Sequence, residues 1–263
     1  MKKINYFTHK LLTGAVALAL VAVLAQANAE TVAQKITVLK VTGSARYMTG
    51  GSAWMPLSRG DVLQPGTVIE TAAKSTVDIA MGDTQGTVSG AASPISMPGT
   101  GGGGGADSGA KANTVRIYES SVLSVDKLTV DKTGMDEVSE TQLDLRAGRI
   151  LGNVKKLSAA SRYEVKIPNG VAGIRGTTYI FDATTGNIFV LSGEVDISYV
   201  VGGVTVFKKI LAGQMFNPTA PGSPNAEPTP ISNPPDIGPI IEPPGTTTTL
   251  TPTSGPLIKI SNN

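Results

Sequence analysis

The short cluster in this sequence whose residue types invite chemistry is Arg175-Gly176-Thr177. An arginine guanidinium is a rigid planar fork that matches a carboxylate or a phosphate, which makes Arg175 a candidate for ligand or partner contact. The same residues also have a structural reading. Arg175 would bond carbonyls across a sharp strand-to-strand turn, Gly176 would take a backbone conformation closed to other residues, and Thr177 would start the next strand. Val171, Ile174 and Tyr179 nearby imply partial burial, where an arginine needs several acceptors. That favours structure, with Gly173, Arg175, Gly176 and Thr177 as one motif. Trp54, the single tryptophan, is the second candidate for binding. It could stack on a sugar, but just before Pro56-Leu57 an aromatic more often fills the edge of a core.

Catalysis would have to rest on carboxylates, Ser/Lys or Tyr. Asp61, Glu70, Asp78, Glu119, Asp144, Glu164, Glu194 and Asp196 mostly fall on the outward side of alternating segments, where charge is solvated. A glycosidase needs two carboxyl groups facing each other about 5 to 9.5 Å apart, and no pair stands out. Lys155, Lys156 and Ser158 show no recognised Ser/Lys spacing. Between Asp126 and Glu140 the acidic residues Asp126, Asp131, Asp136, Glu137 and Glu140 lack the spacing of a calcium loop, so a polar hairpin loop is expected. The glycine run Gly101–Gly105 lacks the Lys-Ser/Thr ending and the following helix of a phosphate loop. No catalytic residue, metal site or cofactor is expected.

These residues belong to a chain that begins like a secreted one. Lys2, Lys3 and Lys10 precede an apolar run from Leu11 to Ala25, and Ala27-Asn28-Ala29 offers small residues at a cleavage site, so residues 1–29 read as a signal peptide cut after Ala29. The run is shorter than the roughly 20 residues that span a bilayer, so no integral membrane segment is expected after cleavage. Removing the leader takes away its three lysines and leaves nineteen basic residues against twenty acidic ones, which argues against a nucleic-acid partner. The single histidine, His9, leaves too, and the chain has no cysteine. Imidazole bases, thiols, disulfides and the usual zinc ligands are therefore absent from the mature chain.

The elements that must position the candidates alternate with period two. In Arg162–Ile167 the residues Tyr163, Val165 and Ile167 share one face; Glu194–Tyr199, Ser75–Ile79, Thr114–Ile117 and Gln142–Leu145 repeat the pattern. Turn residues separate them, among them Arg59-Gly60-Asp61, Pro168-Asn169-Gly170, Thr185-Gly186-Asn187, Ser192-Gly193 and Gly202-Gly203. An all-β domain of short antiparallel, meandering strands over residues 30–217 is expected, β-helix-like or sandwich-like. Residues 82–112 read as a Gly-rich flexible insertion. Twelve of the seventeen prolines fall after residue 217, so 218–263 is expected to be a disordered Pro/Thr-rich tail. Its apolar alternation at Leu257–Ile260 could dock as a strand, though it is short for one.

The order of these pieces resembles the FecR domain, the extracytoplasmic portion of bacterial FecR-type proteins. Val41-Thr42-Gly43-Ser44-Ala45 is followed by Trp54-Met55-Pro56-Leu57, Gly60-Asp61-Val62-Leu63 and Gly66–Thr71, then by Val115–Tyr118 and Leu143–Arg149. Ile167-Pro168-Asn169-Gly170-Val171-Ala172-Gly173-Ile174-Arg175-Gly176-Thr177-Thr178-Tyr179 is similar to the family's TP-x-A-x-A-x-RGT-x-F signature, with Leu191–Val195 and Ala212-Gly213-Gln214 after it. The resemblance spans roughly residues 36 to 217. FecR itself has a cytoplasmic segment and a membrane helix before this domain; here a signal peptide stands in their place, so direct sigma-factor contact is not expected.

The resemblance and the lack of catalytic chemistry together imply a non-enzymatic, exported binding module of the cell envelope. It would be periplasmic, secreted or at the cell surface, with a protein or envelope polysaccharide as partner. The alternatives are a signal-perception protein working through a membrane-bound regulator, and a structural or adhesive surface protein with the tail as a stalk.

Overall fold

The computed structural model describes residues 31–82, 112–232 and 235–238; the leader, nearly all of the Gly-rich insertion and the last part of the tail lie outside them. Within the described residues there are strands and no helix. They are β1 (Thr31–Ala33), β2 (Ile36–Thr42), β3 (Ala45–Thr49), β4 (Met55–Pro56), β5 (Val62–Leu63), β6 (Thr67–Thr71), β7 (Thr76–Met81), β8 (Asn113–Ile117) and β9 (Val122–Asp131), then β10 (Val138–Ala147), β11 (Arg149–Asn153), β12 (Arg162–Ile167), β13 (Gly170–Asp182), β14 (Asn187–Val201), β15 (Val204–Leu211), β16 (Gln214–Phe216) and β17 (Thr229–Pro230).

Alternation puts one side of each strand into a shared core. Val165 of β12, Leu143 and Leu145 of β10, Ile79 of β7 and Val195 of β14 are all fully buried, while their sequence neighbours mostly face out. A one-sided sheet of this length must curl to cover that face, and it does. Hydrogen-bonded neighbours run β2-β7-β8-β11-β13-β12-β10-β9-β6-β3. The segment from Met55 to Leu63 completes the ring: Leu57 donates to the Ala45 carbonyl of β3, and Gly60 donates to the Val38 carbonyl of β2. The sheet is a curled barrel of mixed direction, because β10 and β12 pair in parallel.

Two strands are far longer than the short strands expected. β13 has 13 residues and β14 has 15. The length arises because Ser192-Gly193, a turn signal in the sequence, is accommodated inside β14. The first half of β13 pairs with β12 and the second half with β11, while β14 follows it on its other side throughout. The real turns are Thr184–Gly186, and Gly202-Gly203 between β14 and β15. Both of those glycines have positive φ (59° and 80°), which fits the tight hairpin turns that match strand twist.

The centre of the core is filled by Tyr163 and Tyr179, whose hydroxyls lie 3.4 Å apart. Burial pushes both phenols above their ordinary range. Gly152 of β11 makes room for Tyr179, since a Cβ there would lie 2.2–2.4 Å from the ring and hydroxyl.

Of the expected disordered tail, residues 218–232 and 235–238 are described, and they pack against the fold. Ser223 is buried, and its carbonyl accepts from the Tyr199 hydroxyl at 2.8 Å. Thr229–Pro230 adds β17 to β16, and Ile231 and Ile237 pack on a small second cluster of Tyr118, Leu151, Ile180 and Phe189. Proline-rich chain with a few aliphatic residues can be ordered by an apolar face made elsewhere in the fold. Composition of the segment alone does not disclose that face.

Candidate functional site

Arg175, Gly176 and Thr177 do not form a turn between strands. They sit mid-way along β13, where pairing with β14 runs to Arg175↔Glu194 and resumes at Thr178↔Ser192. Gly176 and Thr177 thus oppose Gly193 alone, which is a β-bulge. Gly176 has φ +57° and Gly193 φ +78°, and a Cβ on Gly193 would lie 2.4 Å from the Gly176 carbonyl oxygen. Thr177 is 1% exposed; its hydroxyl lies 2.7 Å from the Glu194 carbonyl and 2.9 Å from the Arg175 carbonyl, and accepts from the Glu194 N–H at 3.2 Å. The hydroxyl satisfies the groups that the bulge takes out of the ladder. Gly176 and Thr177 thus lie within the bulge, with the Thr177 side chain turned into it.

Arg175 is different. It is exposed, and its guanidinium makes one bond, 3.3 Å to the Ala159 carbonyl. The expected partial burial with several acceptors is not observed, because the strand alternation sends Ile174 inward and Arg175 out. Gly173 lies on the same outward side. It pairs with Glu164 of β12 and Asp196 of β14, and the nearest atom to a Cβ built on it is the Asp196 carbonyl at 3.7 Å. Its lack of a side chain leaves a notch in the outer face of β12–β14.

Two open grooves meet at that notch. One, of about 360 Å³, is bordered by Arg175, Glu164, Glu194 and Asp196. The other, of about 410 Å³, is bordered by Asp196, Val171, Phe207 and Lys209. Lys209 Nζ lies 3.0 Å from both Glu194 and Asp196, and these two bonds raise its pKa despite slight burial. Arg162 approaches Glu164 at 3.5 Å. Nearby, Lys166 meets Asp126 at 3.0 Å. Burial pushes the Asp126 carboxyl up, but the bonds from Ser124 and Lys166 and the lysine's charge outweigh it and hold it below the usual range. Asp126 and Glu140 lie within strands, whereas the sequence placed them in a polar loop; residues 132–137 alone form the connection.

Toward the end of the β14–β15 hairpin the outer face turns apolar. On that face Phe207 is 75% exposed, and Val200, Leu211 and Val171 are also open to solvent; Val204, 64% exposed, lies on the other side of β15, with Val206 and Ile210. β15 pairs with β14 on one side; its other edge carries no strand among the described residues. An exposed aromatic on a free strand edge is a combination that folded proteins usually avoid or use. Phe207 was missed because alternation assigns it a face but does not say whether another element covers that face.

Trp54 lies away from this region, beside β3 and β4. It is 39% exposed, not buried at the core edge, and the Arg46 guanidinium sits 4.5 Å over its ring. Arg46 also holds Glu70, at 2.8 and 3.0 Å. The structure brings Gly173 and Arg175 together with the carboxylates and does not bring Trp54 to them. Among the described residues no group of three or more Asp, Glu, His or Cys side chains is placed to hold a metal ion, and no helix is long and apolar enough to cross a membrane.

The family model described as FecR protein matches residues 109–196. That is narrower than the span from 36 to 217 suggested by motif order, and it contains β8 to β13 and most of β14. No curated protein matches the chain. Two crystal structures of a candidate anti-sigma factor from Parabacteroides distasonis ATCC 8503 align at 13% identity, covering 45% of this chain and 50% of that one, with TM-scores of 0.31 and 0.32. The chain spans about half the length of that protein, and at such scores the alignment carries no argument about function.

Proposed function

We propose that this chain, which carries a FecR domain over residues 109–196, is an exported, non-enzymatic interaction module of the cell envelope that binds a protein along β15. The observation that carries the reading is the open edge of β15 with Phe207 and Leu211 exposed on its outer face. A partner segment in extended conformation would add a strand there. Main-chain bonds would supply affinity, and alternate side chains would meet Phe207 and Leu211 on the outer face. Arg175, Glu164 and Asp196 would then form a polar rim of the kind that selects partners rather than holding them.

Several features favour binding over hydrolysis. Glu164 and Asp196 flank Gly173 from the two neighbouring strands, about 10 Å apart by strand spacing. Asp196 is committed to Lys209, and Glu164 lies beside Arg162. Two carboxyl groups each beside a cation and open to solvent lack the contrasted environments that separate an acid from a base. The family match supports an extracytoplasmic setting and a partner in a signalling route. The structural or adhesive alternative has no observation of its own.

The experiment is binding of purified mature protein to detergent-solubilised envelope proteins, followed by Phe207→Asp and Thr205→Pro variants. Retained fold with binding lost in both supports the reading. Equal binding by wild type and both variants removes β15 as the docking edge, and saturable turnover of peptidoglycan or envelope polysaccharide would overturn the non-enzymatic assignment.

A further inference from the structure

A second surface is built around a carbonyl group. The Ile237 carbonyl accepts from Arg116 Nη1 at 2.8 Å and from the Tyr118 hydroxyl at 2.9 Å. Each donor is fixed from behind. Asp78 holds Arg116 through bonds of 2.9 and 3.3 Å, in a pair whose side chains are 11% and 4% exposed. The Arg149 guanidinium stacks on the Tyr118 ring at 4.2 Å. A buried ion pair is an expensive way to stabilise a fold, whereas donors whose rotamers are locked in advance are what a recognition site requires.

The apolar part of the surface is separate from the main core. Tyr118, Leu151, Ile180 and Phe189 are buried, with Leu191 and Met215 partly so, and Ile231 and Ile237 lie on them half-exposed. Between these two anchors and the barrel the bonding is that of an added strand: Thr229–Pro230 pairs with β16, and Ile231 donates to the Gly213 carbonyl at 2.8 Å. Among the described residues beyond Ala226 no side chain enters the main core, which closes without them. Main-chain pairing, two spaced aliphatic anchors and a carbonyl held by paired donors are the parts of a peptide-recognition site.

We propose that this face is a peptide-binding groove with Arg116 and Tyr118 as its carbonyl clamp. Its ligand is the strap comprising Thr229–Ile231 and Ile237, held in cis in one copy and exchangeable with the strap of a second copy of this chain. Exchange of an identical element between protomers needs no new contact, only release of the resident one. The inference stands apart from the β15 reading and survives its failure.

The test uses full-length mature protein carrying Ile237→Asp, which releases the anchor, and a fluorophore-labelled peptide of residues 227–240 as probe. The variant is expected to bind the peptide saturably, at least tenfold tighter than wild type, whose own strap competes at high effective concentration. Adding Tyr118→Phe should weaken that binding several-fold, and a peptide carrying the same Ile237→Asp change should not bind. A folded variant that ignores the peptide overturns the proposal. Wild-type amide exchange serves where the variant does not fold: the Ile231 amide should exchange at least a hundredfold faster than the strand amides of β11. Equal rates would make the strap an ordinary part of the core and overturn the proposal.

Discussion

Arg175 and Arg116 lie on strands of the same barrel, and their surroundings are opposite. Arg175 is exposed on the outer face of β13 with one 3.3 Å bond to a carbonyl. Arg116, on β8, pairs across the ladder with Asp78 of β7, and the strap beyond β16 supplies a further partner through the Ile237 carbonyl. The first face is open and flanked by other charges; the second is covered by the chain itself. The difference lies in what comes back to cover the strand, since both residues occupy outward positions of well-formed alternating strands. An arginine on a strand is a solvated surface charge until another element returns over it, and it then becomes a fixed donor.

The largest expected effect follows from that contrast. Arg116→Ala leaves the buried Asp78 carboxylate and the Ile237 carbonyl without their strongest donor. It should cost about 3 kcal/mol or more in urea denaturation. The paired change Asp78→Leu with Arg116→Met should cost much less, because no buried charge is stranded. Equal losses in both variants would mean that the pair does not act as a unit.

Gly193→Ala tests the other region through its backbone. The position combines φ +78° with a Cβ placed 2.4 Å from the Gly176 carbonyl oxygen, so a loss of about 2 kcal/mol is expected. A thermal melt within error of wild type would show that the bulge relaxes freely. Gly176 and Thr177 would then lose their structural role as well.

Tyr118→Phe should cost about 1 kcal/mol, the worth of one hydrogen bond to the strap. Its titration sharpens the point. Burial raises the Tyr118 pKa and Asp236 adds to this, while Arg116 and Arg149 pull it down; the net shift is upward. Folding therefore favours the protonated phenol. Its contribution is fully present below the ordinary tyrosine pKa, near 10, and is lost as pH rises through the higher folded value. Phenolate absorbance followed alongside Ile231 amide exchange should show the strap loosening in that alkaline window in wild type and not in Tyr118→Phe. Loosening at the same pH in both would assign it to another group.

Much of this fold is visible in the sequence. The alternation in Arg162–Ile167 coincides with β12 residue for residue, and Val115, Ile117, Val77 and Ile79 point inward as their period requires. The failures share a cause. Ser192-Gly193 is a turn signal only if the strand ends there, and pairing with Thr178 on β13 carries β14 past it. Asp78 and Arg116 look solvated until a strap more than a hundred residues later in the chain covers them. Trp54 looks like a core-edge residue because its neighbours are apolar, yet Arg46 across the β3–β4 pairing offers it a cationic partner on the surface. Local period reports which way a side chain points; only long-range pairing decides what it meets.

The smallest expected effect belongs to Arg175, for all its chemical promise in the sequence. Arg175→Ala removes one long bond to the Ala159 carbonyl from an exposed position, so stability should change by no more than about 0.5 kcal/mol. If the outer face is the rim of a docking surface, the same substitution should slow association with a partner and weaken its dependence on salt, leaving dissociation nearly unchanged. Surface plasmon resonance at two ionic strengths separates these quantities. A loss above about 2 kcal/mol in the melt would return Arg175 to the structural motif of Gly176 and Thr177. An unchanged association rate would confine recognition to Phe207 and the β15 edge, and the contrast between the two arginines would then be one of burial alone.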